Sequence, residues 1–130
     1  MRKITKVEDF VSELMSFRNI THMLHLQAER EGSYAKHMAL NELYEALPDH
    51  IDEIVEFYQG YYGKIISEYT SGDIEIYDLE EALPVVLKYL QGIEQYRYVV
   101  FNKENSPLQN IIDELIATMV KAVYKLRFLK

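Results

Sequence analysis

The chain has 130 residues, is 48% hydrophobic and carries a formal net charge of -7. Its length suits one domain with a real core, and its acidic balance argues against strong, sequence-independent nucleic-acid binding, which needs many cations to displace phosphate counterions. Cysteine is absent, so there is neither a disulfide framework nor a thiolate metal site, and any metal falls to His, Asp, Glu or Asn.

The opening Met1-Arg2-Lys3-Ile4-Thr5-Lys6 leads into no apolar core of a secretory signal, and Asp9 and Glu13 interrupt the region where one would lie. No apolar run approaches the roughly 20 residues needed to span a membrane. These features predict a cytoplasmic chain with no membrane partner.

Apolar spacing predicts four helices. The first covers about 7–30, with Phe10, Val11, Leu14, Met15, Phe17, Ile20, Met23, Leu24 and Leu26 at helical intervals. Glu31-Gly32-Ser33 reads as a break, Gly32 suiting a helix C-terminus and Ser33 an N-cap. The second covers about 33–61, on Leu40, Leu43, Tyr44, Leu47, Ile51, Ile54, Val55 and Tyr58. Pro48 removes one backbone hydrogen bond and predicts a kink rather than a stop, because the apolar stripe continues in phase. Gly60 and Gly63 mark its end.

Ser71-Gly72-Asp73 is a turn signal, and Ile74-Glu75-Ile76-Tyr77 alternates like a short strand with no partner strand, so 65–77 is predicted to be a long connection. The third helix covers about 78–101, with Asp78 as N-cap and Glu80 and Glu81 favoured by the helix dipole. Val85, Val86, Leu87, Leu90, Ile93, Tyr96, Val99 and Val100 are its packing face. The fourth opens at Ser106-Pro107, read as N-cap and first helical position. It runs to about 127 with Ile111, Ile112, Leu115, Ile116, Met119, Val120, Val123 and Leu126 on one face. Two helices, a long connection and two more helices predict a single all-α domain over 1–130, a four-helix bundle with one crossover between helices 2 and 3.

All four histidines, His22, His25, His37 and His50, lie in the first half, near Asn41, Asp49, Asp52, Glu53 and Glu56. On a wheel at about 100° per residue with His37 at zero, Asn41 falls at about 40°, Asp52 at about 60° and Glu56 at about 100°. These metal-ligand types form one stripe along the edge of the apolar face. Carboxylates with neutral imidazoles suit Fe(II), Mn(II) or Zn(II). No histidine has a Glu three residues before it, so the Glu-x-x-His repeat of intramolecular di-iron bundles is missing. Phosphate-cradling loops, nucleophile elbows and H-E-x-x-H motifs are missing too.

The segment from His25 to Glu56 resembles the ferroxidase segment of the Dps (DNA protection during starvation) family. That family's pattern is His, eleven residues, His, three residues, Asp, ten residues, Asp, three residues, Glu. Here His25, His37, Asn41, Asp52 and Glu56 keep every spacing. Asn41 replaces an Asp, which removes a charge and weakens the hold on a cation. Leu26 stands where a Trp commonly follows the first His. The chain is also similar to small helical proteins of tailed phages.

The resemblance implies a ferritin-like fold, a homo-oligomer from dimer to dodecamer, and Fe(II) oxidation by peroxide or oxygen at an intersubunit site. Its ligands would be His25 and His37 from one chain and Asp52 and Glu56 from its neighbour, with Asn41 contributing weakly and His22 and Asp49 behind them. Mn or Zn are the other metals the donor set suits. The competing expectation is a non-enzymatic interaction protein that retains a structural or relict stripe and contacts another protein. Arg2, Lys3 and Lys6 are a weak substitute for a DNA-binding tail. The tyrosines Tyr34, Tyr44, Tyr58, Tyr61 and Tyr62 are expected mainly to pad core and interfaces.

Overall fold

A computed structural model describes residues 1–28, 34–70, 75 and 77–129. It contains α1 (Val7–Gln27), α2 (Tyr34–Tyr62), α3 (Ala82–Val100) and α4 (Ser106–Phe128), with a short 3-10 turn Leu79–Glu81 leading into α3. No strand occurs among the described residues. The break expected at Glu31-Gly32-Ser33, and the turn and alternating residues at Ser71–Ile74 and Ile76, lie outside the described residues.

The helix ends follow from local chemistry. α2 passes through Pro48 as one continuous helix, although the proline leaves the Tyr44 carbonyl without its usual donor four residues on. Gly63 ends it at φ 68°, a left-handed conformation that glycine adopts without a Cβ penalty, and its N–H donates to the Gln59 carbonyl at 2.9 Å. Before α3, the Asp78 N–H donates to Glu81 Oε2 at 2.9 Å, as the acidic first turn suggests. The cap of α4 is Asn105, one residue earlier than expected: its Oδ1 accepts from the Leu108 N–H at 3.3 Å, and Ser106 and Pro107 lie inside the first turn.

α2 packs against α1 and α4, and α3 against α4 and, less extensively, α1. Side-chain contacts fix the directions. His25 meets His37 where α1 ends and α2 begins, and Arg97 meets Gln109 across the α3–α4 turn. Lys125 near the end of α4 binds Glu42 near the start of α2. Consecutive helices of each hairpin are therefore antiparallel, as are α2 and α4. The connection after α2 follows α1 along its length: the Ile66 N–H donates to Gln59 Oε1, the Thr70 N–H to Ser12 Oγ, and Gln27 Nε2 to the Tyr77 carbonyl. It thus returns the chain to the starting end of the bundle before α3 begins.

The core runs the length of the bundle through Phe10, Leu14, Phe17, Leu24, Leu40, Leu43, Leu47, Ile54, Val86, Ile93, Leu108, Ile112, Leu115 and Met119. Phe17 stacks on Tyr89 at 4.5 Å, and Phe10 meets Phe101 edge-on at 5.1 Å. Some apolar residues at helical intervals are not core: Met15, Leu26, Val99 and Val120 are exposed. They lie at the margins of their apolar arcs, where the neighbouring helix no longer covers the surface.

Candidate metal centre

His22 and His25 lie one turn apart near the end of α1, and His37 lies in the first turns of α2. The helix reversal brings the His25 and His37 rings to 4.1 Å between centroids, with His22 6.3 Å from His25. All three are half-buried. His25 Nδ1 lies 3.3 Å from the His37 carbonyl oxygen. A carbonyl only accepts, so this contact assigns the proton to Nδ1 and leaves the lone pair on Nε2, the arrangement found when a histidine ligates a metal through Nε2. His37 Nδ1 is buried with no hydrogen-bond partner among the described residues, an expensive state for a polar nitrogen.

Two residues join this cluster that the sequence pattern did not single out as site residues. Tyr44 stacks on His22 at 4.3 Å with the rings 2° from parallel, and Arg18 lies 5.4 Å over the other aromatic neighbour, the Tyr44 ring. Spacing held a weak signal: Tyr44 is seven residues beyond His37, and Arg18 four before His22, so each shares a helix face with a histidine. Arg18 Nε is also buried without a partner. Of the other tyrosines considered, Tyr58, Tyr61 and Tyr62 group with Phe57 and Phe101 at the far end of α2.

The rest of the stripe separates from the histidines. Asn41 is half-buried one turn beyond His37. Asp52 and Glu56 are fully on the outside, and at 1.5 Å per residue Asp52 is about 22 Å along α2 from His37. The single edge-of-core stripe read from the wheel is thus half-buried at one end and exposed at the other, because α1 covers only the first part of that face. Asp52 shares a groove of about 260 Å³ with Met15, Arg18, Asn19, Pro48 and Ile51. Asp49 is exposed. His50 bonds Thr118 Oγ1 at 2.8 Å and ties α2 to α4, a structural role. Among the described residues, no three His, Cys, Asp or Glu side chains are grouped to hold a metal within one chain.

The outward face of α2 is strongly acidic. Residues 41–56 contain Glu42, Glu45, Asp49, Asp52, Glu53 and Glu56 and no Lys or Arg, and all six carboxylates are exposed. Glu42 is paired with Lys125, whose hydrogen bond holds that carboxyl below its ordinary range. At the other end of the chain, Arg2 is held by Asp9 at 3.3 Å, by the buried Glu13 at 2.9 Å and by Thr70 at 2.7 Å. It therefore fastens the amino-terminal segment to α1 and the crossover and is not a free cation for phosphate.

Sequence comparison adds a family to this geometry. The characteristic sequence pattern of the family described as a family of unknown function, DUF5856, matches residues 25–126. The chain belongs to DUF5856. The matched DUF5856 segment starts at His25 and contains every candidate ligand from His25 to Glu56. The chain is also similar to the "Uncharacterized 14.6 kDa protein in mobD-ri intergenic region" of Enterobacteria phage T4, at 26% identity over 124 residues, covering 95% of this chain and 90% of that protein. No solved structure matches.

Proposed function

We propose that this DUF5856 protein is a ferritin-like bundle that binds Fe(II) between two copies of the chain and oxidises it. One observation carries the reading: His25 and His37 are juxtaposed with a buried, unpartnered Nδ1 on His37, while the carboxylates in register with them on α2 are exposed and lack ion pairs among the described residues. One chain supplies the imidazole half of a site, and the carboxylate half faces outward for another chain to use. The hairpin–crossover–hairpin order supports the ferritin-like reading.

In this reading His25 and His37 supply nitrogen donors, the neighbour's Asp52 and Glu56 supply oxygens, and Asn41 adds a neutral carbonyl. The donor set fits Fe(II), and also Mn(II) or Zn(II). Iron is the substrate. Two Fe(II) each lose one electron, and one peroxide takes both and leaves as two hydroxides. The chain binds the ions and keeps His25 in the ligating tautomer; His22, stacked on Tyr44, braces the adjoining turn.

The second reading is a helical interaction protein with a structural or relict metal site. Asn41 favours it, because a lost carboxylate weakens cation binding. Anaerobic Fe(II) titration followed by peroxide separates the two, comparing the native chain with Asp52→Ala, Glu56→Ala. The ferroxidase reading expects stoichiometric binding and fast oxidation that the double variant loses. Indistinguishable curves would sink it and leave the interaction reading.

A further inference from the structure

Association of two copies and occupancy of the site should be coupled, and three observations bear on this. No group of three potential ligands exists within the described residues of one chain, so one copy offers a metal at most a partial set. The complementary carboxylates belong to a face with six exposed acids and no Lys or Arg over residues 41–56, on a chain of net charge -7. That face adjoins the α1–α2 groove, where Arg18 is the one cation, with its Nε already buried and unpartnered. Bringing two such faces together sets like charges against each other, and five of the six acids have no ion pair among the described residues to offset this.

We infer that the metal is the cross-link that permits association: a divalent cation held by His25 and His37 of one copy and Asp52 and Glu56 of the other neutralises the acidic face and joins the chains, so the protein assembles when the metal is present and separates when it is removed. This rests on the intersubunit site proposed above and adds regulation of assembly by metal supply. The occupant of the groove is a second copy, because only a chain of this sequence brings the carboxylates at the required register. Thr118, His50 and Lys125 are engaged with each other's helices and stay with the fold.

The magnitude follows from linkage. A ligand that binds only the associated form shifts the equilibrium by a factor of about 100 per site at one hundred times its dissociation constant, so two sites related by a two-fold axis give about 10⁴-fold. Residual binding by the His25–His37 pair of a single copy lowers that factor.

The test is sedimentation of the full chain in chelator, then with Zn(II), then with anaerobic Fe(II), alongside calorimetric metal titration. Four samples are run: native, His25→Ala with His37→Ala, Asp52→Ala with Glu56→Ala, and an equimolar mixture of the two double variants. Circular dichroism verifies that the variants remain helical. Native protein is expected to shift to a larger species with metal and to return with chelator. Each double variant alone stays small, and the mixture associates because one complete site forms between complementary copies. Metal binding to a species whose mass is the same with and without chelator overturns the coupling while leaving the metal site standing. A mixture that behaves like its separate components, although native protein associates, also overturns it, since the ligands would then not come from two chains. No metal binding by native protein ends both readings.

Discussion

The two helix hairpins of the bundle handle their buried polar groups in opposite ways. Across the α3–α4 turn, Arg97 is buried and fully engaged: Nε donates to Gln109 Oε1 at 2.8 Å, and Nη2 to the Gln109 carbonyl at 2.8 Å and to Asp113 at 2.7 Å. Gln109 Nε2 returns bonds to the carbonyls of Arg97 and Asn102 at 3.3 Å. Across the α1–α2 reversal, His37 Nδ1 and Arg18 Nε are buried without partners, and the nearby carboxylates of α2 face solvent. Satisfied buried networks rigidify a fold, whereas an orphaned group costs stability for as long as nothing binds it. The first hairpin in this comparison is a fastening within the chain; the second is arranged for something outside it.

The largest expected effect tests the fastening. Arg97→Ala should destabilise the protein by about 3 kcal/mol, because it strands Gln109 and two backbone carbonyls in a dry turn; chemical denaturation measures it. Asp113→Ala should cost less than about 1 kcal/mol, since that carboxylate is 59% exposed and its ion pair is screened. Equal losses from the two variants would mean that the charge pair, not the buried amide contacts, holds the turn.

An intermediate effect tests the second hairpin. His37→Leu removes an unpaired buried nitrogen at similar volume and should leave stability within about 1 kcal/mol of native, or raise it, while abolishing metal binding. A loss above about 2 kcal/mol would place His37 with Arg97 as a structural group and erase the contrast.

The smallest effect concerns the one paired acid of the α2 face. Lys125→Met should cost about 0.5 kcal/mol at neutral pH. Because Lys125 holds the Glu42 carboxyl below its ordinary value, this contribution is present above the unfolded carboxylate range. It disappears as the pH falls through the lowered folded value. The difference between native and variant should therefore narrow on acidification and in high salt, and a gap that persists at low pH would point to lost packing of the lysine stem instead.

Much of the fold was legible before any coordinates. Leu40, Leu43, Leu47, Ile51 and Ile54 repeat at helical spacing and are all buried, and the phase of that stripe correctly carried α2 through Pro48. The candidate site was legible only in part. Spacing put His25 and His37 in register, but the ring contact, the bond from His25 to the His37 carbonyl and the layered Tyr44 and Arg18 depend on how tightly the chain reverses between α1 and α2. The wheel also could not separate half-buried Asn41 from exposed Asp52, because both lie on the same arc and only the reach of α1 distinguishes them.

The sequence by itself determined what each helix must do locally: where apolar residues recur, where glycine releases the chain at Gly63, and which face of α2 carries its carboxylates. Those follow from backbone geometry and side-chain chemistry within a few turns. Only the tertiary structure decided which polar groups are satisfied. Arg97 finds its partners twelve and sixteen residues away, Arg2 reaches Thr70 across the crossover, and His37 Nδ1 is buried facing none. Hydrogen-bond satisfaction is set by the packing of helices against one another, and packing is a property of the assembled core, not of any one helix.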